Sequence, residues 1–373
     1  MNFRARTGFS ISVTLVMIVC AAYRAGAQSA EPLPVNVSPT DGNIRYVGRF
    51  DTRDAAGPRC AWSASTVQLR FGGGSLNAKI KDTGHDLVQI AIDGKPYSVI
   101  ELKPGTGVYR IVDKVFGNHR IDIVKRTEAG SGTLQFQEFQ LAQGALMLPI
   151  RDRLNRRIEM IGDSISCGYG NEGKNQNEHF SPSTENAYLT YGAIAARALD
   201  AEYVCIAWSG RKMAPDNTIG EVYDLTLPGN PESKWDFSKW IPDVVIINLA
   251  TNDFGKDNPD KESWTRAYEA FIARVRKNYP MAEIYCATGS MMSDSWPPEH
   301  KALSTLKTYL KSIVEFEKQA GDSHVRTIDF EPQDQKNGLG SDWHPNVKTH
   351  EIMAEALVNT LEHDLDWRRK DTK

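Results

Sequence analysis

The chain has 373 residues, of which 24% are charged and 40% hydrophobic, and a formal net charge of −3. That length exceeds one ordinary domain and suits two, with enough apolar residues to build real cores. An acidic surplus repels phosphate backbones and anionic lipid surfaces, so the electrostatic footprint of a nucleic-acid or membrane-surface binder is absent.

The N-terminus reads as an export signal. Arg4 and Arg6 form a basic start, residues 9–22 are apolar, and Ala25, Gly26 and Ala27 supply the small residues of a cleavage site. The pattern predicts a signal peptide over 1–27, cleavage near Ala27/Gln28, and a secreted or periplasmic mature protein. The apolar run is shorter than the ~20 residues of a membrane span, so no stable membrane insertion is expected. An uncleaved anchor is the alternative; a lipid anchor at Cys20 is disfavoured by the bulky Val19 before it. Cys60, Cys167, Cys205 and Cys286 remain after cleavage. Four cysteines in an exported chain allow three pairings. The apolar runs around Cys205 and Cys286 favour buried free thiols instead.

From about residue 35 to 150, short alternating or β-branched segments are split by Gly, Asp and Asn. Examples are STVQLRF (65–71), DLVQIAID (86–93), YSVIEL (97–102) and HRIDIVKRT (119–127). Many short strands without an amphipathic helix predict a β-sandwich of jelly-roll type. A charged connector, RDRLNRR (151–157), follows. The texture then changes, and a second domain is predicted over 157–368. IEMIG (158–162), AEYVCIA (201–207), VVIINLA (244–250), AEIYCAT (282–288) and VRTIDF (325–330) read as five strands. Helical spacing appears over 187–199, 301–316 and 347–362. A further helix is expected to start at Asn258, Pro259 and Asp260 and to stop before Pro280, burying Trp264, Tyr268, Phe271, Ile272 and Val275. Alternating strands and helices imply a parallel sheet with helices on both faces.

In such sheets, sites form beyond the carboxyl ends of the strands. Gly162, Asp163 and Ser164 follow the first of these strands, placing a serine at a strand-to-helix turn; Asp163 or Ser164 as a plain helix cap is the competing reading. Ser209 and Gly210 follow the second strand, where Gly210 offers its N–H or is merely a turn glycine. Asn252 and Asp253 follow the third, where Asn252 offers an amide donor for an oxyanion or serves a turn. His344 sits in Asp342-Trp343-His344-Pro345-Asn346, before the final helix. A serine needs a base to become nucleophilic near neutral pH, and histidine is the usual one. No metal-ligand spacing and no glycine-rich phosphate loop is present, so no cofactor and no metal are predicted.

These four pieces, in this order, resemble the SGNH or GDSL-type hydrolases over roughly 158–361, with Ser164, Gly210, Asn252 and His344 matching the serine, glycine, asparagine and histidine. Two departures stand out. Ala250 replaces the glycine of the usual Gly-x-Asn-Asp block, and Ser341 stands where an aspartate three before the histidine is usual. A preceding β-sandwich, GDSISCGYG (162–170) and SDWHPN (341–346) are similar to carbohydrate esterase family 2. The resemblance implies a flavodoxin-like three-layer α/β domain with a five-stranded parallel sheet behind a jelly roll, and an acetyl esterase acting on acetylated polysaccharide or oligosaccharide. It implies Ser164 as nucleophile and His344 as base. It implies the N–H groups of Ser164 and Gly210 and the side chain of Asn252 as the oxyanion hole. It implies Asp342 as the residue that orients His344, through either its carboxylate or its backbone carbonyl, and the carboxylate is expected as the stronger acceptor. Trp208 and Trp343 flank these motifs as sugar-stacking candidates, or equally as core or rim aromatics. The alternatives are a lipase or thioesterase of the same fold, a carbohydrate-binding protein without catalysis, and a structural envelope protein.

Overall fold

The structure is a computed structural model that describes Met1, residues 34–150 and residues 154–370. The predicted signal segment beyond Met1 and the connector residues 151–153 lie outside the described residues.

Residues 35–148 form nine antiparallel strands: β1 (Val35–Val37), β2 (Arg45–Val47), β3 (Arg59–Cys60), β4 (Thr66–Asp82), β5 (Leu87–Ile92), β6 (Lys95–Glu101), β7 (Gly105–Lys125), β8 (Leu134–Leu141) and β9 (Met147–Leu148). The predicted strands fall on this set, but β4 and β7 run far past their apolar cores. The ladder between them shifts register around Gly72 and Gly74, and β4 changes partner there. Its first half pairs with β2 and β9 and its second half with β8. Bulges of this kind let one strand turn from one leaf into the next. Leu69 and Phe71 from the first half share a single buried core with Leu76, Ala78 and Ile80 from the second.

The remaining strands, β10 (Arg156–Gly162), β11 (Ala201–Ala207), β12 (Val244–Asn248), β13 (Glu283–Thr288) and β14 (Val325–Asp329), build a parallel sheet in the order β11-β10-β12-β13-β14. This is the flavodoxin-like order, with its switch point between β10 and its two neighbours. Every residue of β12 is buried, as a strand covered on both faces requires. Val245 and Ile247 face one core, shared with α3 (Lys261–Asn278) and α4 (Ala302–Gln319). Val244 and Ile246 face the other, shared with α2 (Tyr191–Ala198) and α5 (Val347–Leu365). A one-turn helix, α1 (Ser164–Cys167), follows β10 directly.

Two helix starts differ from expectation. The side chain of Asp260, not Asn258, caps α3 by accepting from Ser263 N at 3.0 Å, while Asn258 donates to His300 O. The helix expected from 187 begins only at Tyr191. Residues 187–189 form a separate 3₁₀ turn, and Thr190 is extended. The Tyr191 N–H, unsatisfied at a helix start, is taken by His350 Nδ1.

The antiparallel part is keyed into the parallel part by charge. Arg49 is fully buried. It donates to the carbonyls of Tyr223 and Leu225, lies 3.4 Å from Glu159 Oε2, and stacks against Tyr223, Trp235 and Phe237. A guanidinium so desolvated depends on these partners: its two terminal nitrogens find acceptors and its charge faces Glu159 and three rings, while its buried Nε is left without a hydrogen bond. The four cysteines among the described residues, Cys60, Cys167, Cys205 and Cys286, are buried and unpaired, and burial pushes the thiols of Cys60, Cys205 and Cys286 up to about 12.

Candidate active site

Ser164 is the first residue of α1, immediately beyond the carboxyl end of β10. Asp163 is the cap; its Oδ1 accepts from Ile165 N at 3.0 Å. The capping reading and the nucleophile reading therefore divide between adjacent residues. His344 lies 180 residues away, yet its Nε2 is 2.9 Å from Ser164 Oγ.

Close backbone packing produces that contact. The segment after α1 runs against the loop that carries His344: Ser341 N donates to Gly170 O at 2.9 Å and Val347 N to Asn171 O at 3.1 Å. A Cβ on Gly170, whose φ is +59°, would stand 2.5 Å from Ser341 Cβ, so only glycine permits the approach. The loop also closes on itself, with His344 N donating to Ser341 O and Gly340 N to His344 O.

The acceptor at His344 Nδ1 is the backbone carbonyl of Asp342, at 3.1 Å. The expectation that the Asp342 carboxylate would fill this place is corrected. That carboxylate points away and accepts from Tyr169 Oη at 3.0 Å, Phe180 N at 2.9 Å and His179 Nδ1 at 2.9 Å. Burial works against its charge, but the bonds from His179, Phe180 and Tyr169 outweigh that and hold its pKa below the ordinary aspartate value. The backbone shows why. Asp342 and Trp343 both adopt positive φ, 50° and 67°. Left-handed conformations cost non-glycine residues about 1–2 kcal/mol each. The three bonds to the Asp342 side chain offset that strain and aim its carbonyl at the imidazole. A carbonyl only accepts, so Nδ1 carries the proton and the Nε2 lone pair faces Ser164. The Tyr169 ring lies 4.2 Å from the imidazole centroid, with Phe180 stacked behind it at 4.2 Å. Tyr169, His179 and Phe180 were not singled out from the sequence. Tyr169 at least sits inside the GDSISCGYG run; the other two carry no local signal.

Gly210 has φ +78° and occupies a turn over residues 208–211, closed by Arg211 N donating to Trp208 O at 3.2 Å. Neither Ser164 N–H nor Gly210 N–H meets an acceptor among the described residues. Asn252 Nδ2 donates to Arg211 O at 3.0 Å and approaches Asp163 Oδ2 at 3.4 Å. One amide hydrogen thus braces the Gly210 turn, and the other makes a long, weak contact with Asp163. Asp163 is fully buried; burial chiefly, and the nearby Asp253, push its pKa up to about 7. Asp253 itself ties down the following loop, accepting from Met213 N, Ala214 N and Trp264 Nε1. Ala250, where a glycine is usual, still takes φ +102°, so the backbone keeps the glycine-type conformation without the glycine. Trp343 is 52% exposed beside His344. Trp208 is half-buried, with the Arg211 guanidinium 4.7 Å over its ring.

Burial lowers the His344 pKa below the usual 6.5, and the Asp342 and Ser341 backbone only partly offsets this. The imidazole therefore stays neutral at pH 6.5 and charges only as pH falls through the lowered value. An NMR titration of its ring proton should place the midpoint below 6.5; a midpoint above would contradict this reading of the pocket.

Residues 46–150 match the family "Carbohydrate esterase 2 N-terminal", and residues 160–352 match the "GDSL-like Lipase/Acylhydrolase family". The chain is 40% identical over 331 residues to the cellulase/esterase CelE of Acetivibrio thermocellus, covering 87% of this chain and 40% of CelE. It is 26% identical over 344 residues to an acetylxylan esterase / glucomannan deacetylase of Cellvibrio japonicus, covering 89% of this chain and 91% of that protein. A solved family two carbohydrate esterase from Clostridium thermocellum, in complex with cellohexaose, superposes with a TM-score of 0.82 at 40% identity, covering 87% of this chain and 99% of that one. With both halves matched in order and a whole solved member aligned, the chain belongs to carbohydrate esterase family 2.

Proposed function

We propose that the protein is an exported serine esterase that removes O-acetyl groups from acetylated polysaccharide or oligosaccharide of the xylan or glucomannan kind. The observation that carries this reading is the 2.9 Å contact between Ser164 Oγ and a His344 whose other nitrogen is held by an acceptor. The relatives that pair deacetylase names with this fold supply the acyl group and the carbohydrate.

The chemistry follows from the geometry. Ser164 Oγ attacks the acetyl carbonyl carbon while His344 Nε2 takes its proton. The carbonyl oxygen becomes an oxyanion, met by the free N–H groups of Ser164 and Gly210. The Asn252 hydrogen that faces Asp163 at rest is the third donor. The C–O bond to the sugar then breaks, and His344 returns the proton to the leaving sugar oxygen. Water repeats the sequence on the acetyl-serine and releases acetate. Trp343 and Trp208 lie on the motif loops and supply apolar faces for a sugar ring. The domain division at about 150/157 and a cleaved signal over 1–27 complete the proposal. No described helix is long and apolar enough to cross a membrane.

The test is a panel of acetylated xylan, acetylated glucomannan and aryl esters of increasing acyl length. Acetyl esters should be turned over fastest, and Ser164→Ala should be folded and inactive. A preference for long acyl chains, or turnover by folded Ser164→Ala, would sink the reading. Asp342→Ala gives a second check. It keeps the carbonyl that holds Nδ1 but loses the bonds that pin the turn. A fall in kcat of about tenfold, one 1.4 kcal/mol step, is expected. A loss near ~10⁴-fold, the scale for a triad carboxylate, would show that the side chain does the orienting.

A further inference from the structure

One buried acid crosses from the antiparallel part to the site. Glu128 follows β7, and both its N–H and its carbonyl are held. Its N–H donates to Glu185 Oε2 at 3.0 Å, and its carbonyl accepts from the buried Lys125 Nζ at 3.0 Å. The neighbouring Arg126 pairs with Glu172 and accepts from Ala187 N, which seats this loop on the parallel part. The backbone so fixed directs the side chain at one target: Glu128 Oε2 accepts from Ser209 N at 2.8 Å.

Ser209 is the second residue of the 208–211 turn, and Gly210 is the third. The φ of +78° at Gly210 is the value a type II turn requires at that position. In such a turn the central peptide carries the Gly210 N–H, and flipping it would turn that donor to the opposite face. The turn is gripped elsewhere by Gly162 O on Trp208 N, by Asn252 on Arg211 O, and by Asn217 Nδ2 on Gly210 O at 2.9 Å. The Glu128 bond is the one that arrives from the antiparallel part, and a charged acceptor makes it the strongest kind.

We propose that Glu128 is a positioning residue for the esterase: through Ser209 N–H it sets the peptide that presents Gly210 N–H to the oxyanion. The antiparallel part thereby contributes to turnover as well as to any sugar contact it makes. Glu185 has the supporting role. Burial chiefly, together with the nearby Glu128, raises its pKa well above the ordinary value, and its Oε2 holds the Glu128 N–H.

The inference rests on the esterase reading, and the experiment separates the two. The full chain, Ser164→Ala, Glu128→Met and Glu128→Gln are assayed on 4-nitrophenyl acetate, with kcat and KM resolved and folding checked by circular dichroism. Wild-type turnover that vanishes in Ser164→Ala establishes the esterase independently of Glu128. Methionine fills the space without an acceptor, whereas glutamine keeps one. Acylation and deacylation both pass through an oxyanion, so kcat falls whichever step limits. Glu128→Met should lower kcat about 10- to 100-fold, the scale of a misplacement near 1 Å, with KM within about twofold. Glu128→Gln should recover most of that loss. A folded Glu128→Met with wild-type kcat, a Glu128→Gln as impaired as Glu128→Met, or a loss that tracks the folded fraction would overturn the proposal. If Glu128→Met does not fold, Glu128→Ala is read by the same criteria. Failure of both to fold would assign Glu128 to structure alone and overturn it equally.

Discussion

The hydrogen bond from His344 Nδ1–H to the Asp342 carbonyl is the constraint on which the site depends. Without an acceptor there, the imidazole is free to take either tautomer and to swing away from Ser164. With it, the Nε2 lone pair is directed at Ser164 Oγ, 2.9 Å away. Using a carbonyl makes the base depend on backbone conformation, and that conformation is an expensive one. Two consecutive left-handed residues persist because the Asp342 side chain is bonded to Tyr169, His179 and Phe180, and because Gly170 lets Ser341 come close. Asp342 thus makes two kinds of contact, by its carbonyl with the His344 imidazole and by its carboxylate with the groups that pin the turn. The neutral carbonyl stabilises an imidazolium less than a carboxylate would, and the lowered His344 pKa agrees with that weaker partner.

The Gly210 side of the site is organised by local bonds in the same way. Asn252 braces the Gly210 turn through Arg211 O, and Asp253 holds the next loop through Met213 and Ala214. Consecutive residues beyond β12 therefore secure the loop beyond β11, across the intervening strand β10. Glu128 and Arg49 extend this network into the antiparallel part. Both are acidic or basic groups taken out of water and repaid by directed partners, a pattern that favours one arrangement of the two parts over sliding alternatives.

Most of the architecture was legible because burial leaves a strong periodic trace. The β-branched run 244–247 of β12 and the stripe Trp264, Tyr268, Phe271, Ile272 and Val275 on α3 are consequences of covered faces, and the structure buries them as read. Ser164, Gly210, Asn252 and His344 could be picked out as candidates because the loops of a parallel sheet gather beyond its strand ends. What escaped was set by contacts distant in sequence. The choice between Asp342 carboxylate and carbonyl depends on Tyr169 and Phe180, more than 160 residues earlier. Glu128 belongs to another sheet and has no motif of its own. The start of α3 was misplaced because Asn258, a sound cap by type, is drawn to His300 instead.

The most direct test of this account is covalent. An aryl fluorophosphonate reacts with a serine that has an aligned base and an oxyanion pocket, and with few others. The labelled protein, digested and mapped by mass spectrometry, should carry one adduct, on Ser164, with activity lost in proportion to labelling. Stoichiometric labelling at another residue, or full inhibition with Ser164 unmodified, would contradict the Ser164–His344 centre described here.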